Sequence, residues 1–270
     1  MSATLIVPAS ATPTVRALAE AAVGRGFDVL PVALGSDLSL LPTSGRLHLF
    51  GGPRLAARVQ AQCPLALLEP RDEWLASLPD RFLRRKVRLM PALEAYGLQD
   101  RLFVKMPREK GFEPGPYFGY ELPTLPEEEP LLVSDLVTMI DEYRFWILDG
   151  LVHASSSYRI RGHPDARQVE PTAGPSLHRF MDELLSGHAD QLPSAVVVDV
   201  AWVSQPSPGW AVVEANMAWF SAHYAADPAR VLDVVLRAAG PPEAVLARDA
   251  RFVDTRWAPG HGRCSATSSP

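Results

Sequence analysis

The first 68 residues alternate short apolar runs with amphipathic segments, and this alternation constrains the fold more than any other feature of the chain. Apolar runs that read as strands occupy residues 4–8, 27–32, 47–50 and 65–68. Helical periodicity is found at 13–26 and 53–62. Strands that alternate with helices pair in parallel, so the pattern predicts a small open parallel sheet with helices on its faces. No glycine-rich dinucleotide motif follows the first strand.

The rest of the chain is richer in strands. A helical pattern is predicted over 72–96, broken at Leu78-Pro79, followed by a compact strand over 101–106. Residues 107–130 are rich in Pro, Gly and Glu, which predicts an exposed hairpin and loop that could move as a lid. Asp149-Gly150 between two β-rich runs is a strong hairpin signal. The remaining predicted strands are 131–137, 143–148, 152–158, 196–203 and 210–214, with helices at 176–186 and 228–239.

Composition excludes several classes of protein. The 270 residues are 47% hydrophobic and 21% charged with a net charge of −5, which is ordinary globular composition without a basic stripe for nucleic acid. No apolar run approaches the length of a membrane span, and no signal peptide is recognised, so we expect a cytoplasmic protein. Cys63 and Cys264 form no metal or disulfide pattern.

Three oxygen-bearing side chains near the end of the chain carry the strongest chemical signal. Asp199 interrupts the apolar strand Val-Val-Val-Asp-Val-Ala, and Glu214 and Asn216 end the next strand. The two-residue period of a strand places Glu214 and Asn216 on one face, and a short hairpin brings Asp199 beside them. Two carboxylates and an amide oxygen are ligands that Mg²⁺ prefers. Any one of them alone could equally be a solvated strand-end residue.

These residues resemble a known family. The strand with Asp199, its loop and the segment Val-Val-Glu-Ala-Asn-Met-Ala-Trp at 212–219 look like the closing motif of ATP-grasp ligases. In that superfamily an Asp, a Glu and an Asn two residues later hold Mg²⁺ on ATP. The resemblance therefore implies that Asp199, Glu214 and Asn216 are the metal ligands.

The same resemblance extends to residues expected around the nucleotide. Lys105, in Leu-Phe-Val-Lys-Met-Pro, resembles the family's phosphate-binding lysine, and Lys86 is placed like an earlier basic residue, here in a predicted helix. Arg144 would point into the cleft and Arg159 would face the transferred phosphate, although both could be ordinary salt-bridge or strand-end arginines. The other residues that the resemblance implies for ATP binding are Val133, Ser134 and Asp135 at the adenine, Glu142 at the ribose, and Lys110 as a second phosphate contact.

The resemblance implies an α/β chain, α+β overall, with two parts and a tail. An N-terminal open-sheet domain at 1–80 would precede an ATP-grasp domain at 81–253. Its small lobe would span about 81–133 and its large lobe about 134–253, with a disordered tail at 254–270. The implied activity is ATP-dependent joining of a carboxylate to an amine through an acyl-phosphate, releasing ADP and phosphate.

Alternatives stay open at this point. The chain could be an ATP-grasp phosphotransferase that forms no amide, or a module that binds nucleotide without turnover. The usual Gly/Ser-rich phosphate loop is replaced by a segment with Pro, Glu and Lys at 107–116. The sequence leaves undetermined whether the substrates are small molecules or peptides, whether the chain forms a homodimer, and what Trp219, Ser221, His223 and Tyr224 do. It predicts neither a nucleic-acid nor a membrane partner.

Overall fold

The computed structural model describes residues 3–38, 41, 45–108, 111–167 and 174–254. Its strands are β1 (Ala3–Pro8), β2 (Asp28–Val32), β3 (Arg46–Leu49), β4 (Ala66–Leu67), β5 (Val87–Pro91), β6 (Leu102–Lys105), β7 (Gly115–Tyr117), β8 (Pro130–Ser134), β9 (Thr138–Leu148), β10 (Leu151–Ile160), β11 (His163–Pro164), β12 (Ala195–Gln205), β13 (Gly209–Asn216) and β14 (Ala239–Gly240). Its α-helices are α1 (Pro13–Gly24), α2 (Pro53–Gln60), α3 (Trp74–Ser77), α4 (Asp80–Leu83), α5 (Ala92–Ala95), α6 (Pro175–His188) and α7 (Pro228–Ala238). Short 3-10 helices occur at Gly119–Glu121, Ala189–Gln191, Ala218–Phe220, Pro242–Ala244 and Ala247–Phe252.

The predicted N-terminal parallel sheet is present, with three strands in the order β2-β1-β3. α1 begins at Pro13 because Thr12 caps it, accepting a 3.2 Å hydrogen bond from the Val15 backbone N–H. The buried side of α1, with Leu18 and Ala22, packs into the same core as Leu5 of β1. A parallel sheet needs such cover on its faces, since its strands are apolar on both sides.

The expectation of a fourth parallel strand at 65–68 is wrong. β4 is only two residues long and pairs antiparallel with β14, which directly follows α7. The apolar run correctly predicts burial, since Leu67 is fully buried. Burial does not specify a pairing partner, and the partner here comes from the C-terminal part of the chain.

The expected helix over 72–96 is also wrong. Pro79 and the left-handed conformation of Arg84, with φ of 55°, divide the segment into the short helices α3 and α4. The chain then runs as strand β5, in which Val87 and Leu89 pack toward one core cluster while Met90 packs in another. That alternation has the period of a strand, and the arginines between the apolar residues hid it among helical patterns.

Two antiparallel sheets follow the N-terminal sheet. The smaller has the order β5-β8-β6-β7, and the larger has the order β11-β10-β9-β12-β13. The predicted hairpin at Asp149-Gly150 joins β9 to β10, and both residues have positive φ (52° and 80°), as a type I′ turn requires. The segment predicted as a hairpin and loop contributes β7, which pairs with β6.

The two faces of the larger sheet carry separate cores. Val196, Val198 and Val200 of β12 pack with α6 on one face. Val197 packs on the other face with α7 and the N-terminal sheet. Asp199 shares the face of Val197, so the strand period carries a carboxylate to the side on which the N-terminal part of the chain lies.

Three further sequence predictions meet the structure differently. Cys63 is buried as a free thiol. Cys264 and the predicted disordered tail beyond residue 254 lie outside the described residues, as does Lys110. Within the described part of the chain, no helix is both long and apolar enough to cross a membrane.

Candidate functional site

Asp199, Glu214 and Asn216 meet on one face of the larger sheet. Asp199 lies directly opposite Glu214 in the register of β12 and β13, and Asn216 is two residues further along β13. The Asn216 amide group donates to Asp199 Oδ2 at 3.3 Å and to Glu214 Oε1 at 2.8 Å. The convergence that the strand period predicts is therefore present in the geometry.

Arg144 neutralises Asp199. It lies opposite Asp199 on the neighbouring strand β9, and its Nε and Nη2 donate to Oδ1 and Oδ2 at 2.8 and 2.7 Å. Asp199 is 1% exposed. Burial raises the pKa of the Asp199 carboxyl above its ordinary value, and the paired guanidinium opposes that rise. Arg144 is thus a buried cross-strand partner rather than a free cation in the cleft.

Lys105 neutralises Glu214 from the other sheet. Its Nζ, at the end of β6, donates to Glu214 Oε2 and forms an ion pair between the two sheets. Burial opposes ionisation of Glu214, but Lys105 and the Asn216 amide outweigh it and hold the pKa of this carboxyl at about 2. Each carboxylate of the cluster is therefore matched by one cation.

The cluster has the donor chemistry of a magnesium site. Among the described residues, no group of three or more His, Cys, Asp and Glu side chains converges as a metal site. The set here is two carboxylates and one amide. Turning the Asn216 amide by 180° would present its oxygen where the Nδ2 group now lies, and a carboxylate keeps further lone pairs beyond those used by Arg144 or Lys105. The residues thus fit Mg²⁺ that keeps part of its shell as water and phosphate oxygen.

The expected adenine strand is the inner strand β8. The backbones of Val133 and Ser134 pair with β5 on one side and β6 on the other. The Asp135 N–H donates to the Lys86 carbonyl at 3.1 Å, and its Oδ2 accepts from the Lys86 N–H at 2.9 Å. Lys86 precedes β5 instead of lying in a helix, which corrects the sequence expectation, and its side chain is exposed beside Asp135.

Glu142 and Arg159 lie at the outer end of the same face as Arg144. Glu142 Oε2 accepts from the Tyr158 hydroxyl at 2.7 Å, and Glu142 Oε1 pairs with Arg159 Nη1 at 3.1 Å. Arg159 is half exposed, and its described ion pair is with Glu142. A β-bulge between Ser157 and Arg159 sets this arrangement.

Two arginines at the site were not singled out by sequence reasoning. Arg85 donates to the carbonyls of Val212 and Val213, at 3.0 and 3.3 Å, where β13 bulges opposite Asp199. Burial lowers the pKa of Arg85 to about 10. Arg108 lines the cleft with Lys105 and Glu214, and forms ion pairs with Asp72 and Glu69. Both stand in basic or loop segments whose sequence gives no signal of a partner.

The segment after Asn216 contains the residues that the sequence left open. Trp219 is fully buried, and its Nε1 donates to the Leu68 carbonyl at 3.2 Å, so it belongs to the core. Ser221 Oγ donates to the Met217 carbonyl at 2.9 Å. His223 Nδ1 is 3.1 Å from Thr14 Oγ1. Tyr224, with φ of 53°, stacks on Tyr158 at 5.0 Å between ring centroids.

Comparison with known proteins places this geometry in context. Residues 82–234, more than half of the chain, match the model of an ATP-grasp domain, family 2 of its clade. No curated protein matches the chain in a sequence search.

Solved structures agree on the fold. A RimK domain ATP-grasp protein from Sphaerobacter thermophilus DSM 20745 is 14% identical with a TM-score of 0.51, covering 87% of this chain and all of that one. The ATP-grasp ligase PsnB, complexed with a minimal precursor, is 12% identical with a TM-score of 0.49, covering 87% and 98%. A D-alanine–D-alanine ligase from Bacillus anthracis is 10% identical with a TM-score of 0.49, covering 88% and 97%. At these identities the likeness concerns the fold alone.

Proposed function

The chain belongs to the ATP-grasp domain family, and from that premise we propose that it is an ATP-dependent ligase that joins a carboxylate to an amine. The single observation that carries the proposal is the charge-matched cluster of Asp199, Glu214 and Asn216 with Arg144 and Lys105. A chain that only packs has no need to hold two carboxylates side by side on a sheet face, because like charges repel in a low-dielectric site. We take residues 81–253 as the catalytic part and 1–80 as a preceding domain.

Magnesium and nucleotide would bind where the two sheets face each other. Asp199, Glu214 and Asn216 would hold Mg²⁺, which supplies positive charge to the phosphate oxygens when bound. Lys105 is the cation nearest to that position from the smaller sheet, and its bond to Glu214 leaves it ready to pair with a phosphate oxygen. Val133, Ser134 and Asp135 would border the adenine, with Lys86 beside them, Glu142 near the ribose and Lys110 as a second phosphate contact.

The chemistry asks the protein for positioning and charge compensation. The substrate carboxylate oxygen attacks the γ-phosphorus, the bond from the β,γ-bridging oxygen breaks, and ADP leaves. The amine nitrogen then attacks the acyl carbon, the acyl C–O bond breaks, phosphate leaves and the nitrogen loses a proton to solvent. Arg144, fixed by Asp199, and the half-exposed Arg159 would offset the negative charge that develops on the phosphate oxygens.

Hydroxylamine provides a general test of this reaction. An acyl-phosphate transfers its acyl group to hydroxylamine, so Mg-ATP, a mixed set of carboxylates and hydroxylamine should yield hydroxamate together with ADP. Glu214→Gln should remove both products, because it leaves one carboxylate for the metal. ADP release that persists unchanged in Glu214→Gln would contradict the assignment.

The same assay separates the alternatives. A phosphotransferase that forms no amide would release ADP without consuming a true amine substrate, so amine consumption in proportion to ADP supports the ligase. A nucleotide-binding module would be stabilised against heat by Mg-ATP and show no turnover.

A further inference from the structure

A second pocket lies at the carboxyl ends of the N-terminal strands. β1 is the central strand, with β2 on one side and β3 on the other, so the chain leaves β1 and β3 on opposite sides of the sheet. In open parallel sheets this reversal point leaves a crevice outside the carboxyl ends of the strands, where ligands bind. The pocket occupies that crevice, bordered by Pro8 after β1 and by Phe50 and Gly52 after β3.

The segment that follows Asn216 closes the pocket from the other side. Phe220, Ala222 and Tyr224 line it, and the Gly51 N–H donates to the Trp219 carbonyl at 2.8 Å, which fixes the segment to the sheet. Arg144 Nη1 donates to the Ala222 carbonyl at 3.3 Å. The pocket is therefore separated from the Arg144–Asp199 pair by one layer of backbone, and Tyr224 borders both.

The pocket is apolar and carries exposed aromatic surface. None of the described residues that line it is Lys, Arg, Asp or Glu. Phe220 is 52% exposed, although burial of an aromatic ring is the more favourable arrangement. His223 is buried and bonded to Thr14, and burial lowers the pKa of His223, so the pocket presents no cation near neutral pH.

Gly52 makes room for the ring of Phe220. A Cβ at residue 52 would lie 3.0 and 3.2 Å from Cε2 and Cζ of Phe220, closer than ordinary packing allows. Phe220 is thus seated against the backbone of the β3–α2 turn. This contact holds the aromatic wall open to the pocket and away from the core.

We propose that this pocket binds the uncharged, apolar side chain of a substrate, an aromatic or branched aliphatic group whose reacting carboxylate or amine extends toward Arg144. The inference rests on the proposed ligase function and adds the substrate class to it. Phe220 and Gly52 are the residues that set specificity. A charged side chain would lose its hydration in this lining without gaining a partner.

Binding calorimetry of the full chain with Mg-ADP tests the proposal without requiring turnover. N-acetyl-phenylalanine should bind at least ten-fold more tightly than N-acetyl-glutamate, since burying one aromatic group is worth a discrimination of roughly that size or more. Phe220→Ala should remove most of the difference. Leu93→Ala is the matched control, because Leu93 is 54% exposed and does not line the pocket, and it should keep the difference.

Each outcome bears on one proposal alone. Equal binding of the two probes, or a preference that survives Phe220→Ala, would overturn the apolar pocket even if Mg-ATP turnover were normal. A preference that is lost in Phe220→Ala and kept in Leu93→Ala supports the pocket. Heat stabilisation by Mg-ATP, measured in parallel on the same samples, reports on the nucleotide site independently.

Discussion

Arg144 and Asp199 lie opposite each other on neighbouring strands and join through two hydrogen bonds of 2.8 and 2.7 Å in a buried setting. The sequence alone would suggest that Asp199 could be neutralised by mutation without affecting the fold. The pair makes that expectation wrong, because removing one partner leaves the other charge buried.

Asp199→Asn should therefore cost both activity and stability. We expect loss of Mg-dependent ADP release and a fall of about 2–4 kcal/mol in the free energy of unfolding, less than for full removal because the amide still accepts one hydrogen bond. Urea denaturation of Asp199→Asn, Arg144→Met and the double variant measures the pair. The double variant should lose clearly less than the sum of the two single losses, and additive losses would show that the two side chains are not coupled.

Lys105→Met should weaken nucleotide binding more than it changes the fold. One charge-assisted phosphate contact is worth roughly 1.5–3 kcal/mol, so the KM for Mg-ATP should rise at least about ten-fold. Arg88→Met, an exposed cation of the same sheet, is the control and should leave the KM within about two-fold. An equal effect of both variants would indicate general electrostatics in place of a specific contact.

The Lys105–Glu214 pair should make a pH-dependent contribution to stability. The folded pKa of Glu214 is about 2, below the ordinary 4.5, so the contribution is complete above pH 4.5 and is lost as the pH falls toward 2. The stability difference between the native chain and Lys105→Met should stay constant from pH 7 to 5 and shrink below pH 4.5. A difference that grows on acidification would contradict the depressed pKa.

His48 should make the chain less stable in mild acid. Burial lowers the pKa of His48 below 6.5, so the folded state resists protonation while the unfolded state accepts it. This contribution is complete above pH 6.5 and is lost as the pH falls below it. His48→Asn keeps an N–H near the Leu236 carbonyl, 2.9 Å from Nδ1 in the native chain, and removes the titration.

The measurement is the melting temperature between pH 7.5 and 5.5. His48→Asn should show a smaller fall across this range than the native chain. His163→Asn, at an exposed position of β11, should follow the native chain. Identical pH profiles for the native chain and His48→Asn would exclude His48 as the source.

Gly209 should not tolerate a side chain. Its φ is 149°, and a Cβ would lie 2.8 Å from Nε and 2.9 Å from Cζ of Arg84. Gly209→Ala should reduce the free energy of unfolding by about 1–3 kcal/mol. Gly187, within α6, has open space around a Cβ, so Gly187→Ala should stabilise the chain by about 0.5–1 kcal/mol. Thermal denaturation of the two variants gives shifts of opposite sign if both arguments hold.

Local patterns predicted those parts of the fold whose causes are local. The Asp149-Gly150 turn and helix α1 with its Thr12 cap follow from neighbouring residues, and both are present. The segment around Val87 was wrongly predicted as helix, because a mixed basic and apolar run satisfies both periods over so few residues. β4 was given the wrong partner, since a two-residue apolar run carries no information about which distant edge it meets.

For the candidate site the division is similar. The strand period alone placed Glu214 and Asn216 on one face and brought Asp199 to them, because the hairpin between the strands is short. The sequence thus determined the family, the broad fold and the acidic cluster. Only the tertiary structure decided that Arg144 and Lys105 neutralise these carboxylates, that Arg85 and Arg108 enter the cleft, and that Phe220 faces an apolar pocket. Such pairings join residues far apart along the chain, and their energies depend on burial and distance, which no local pattern encodes.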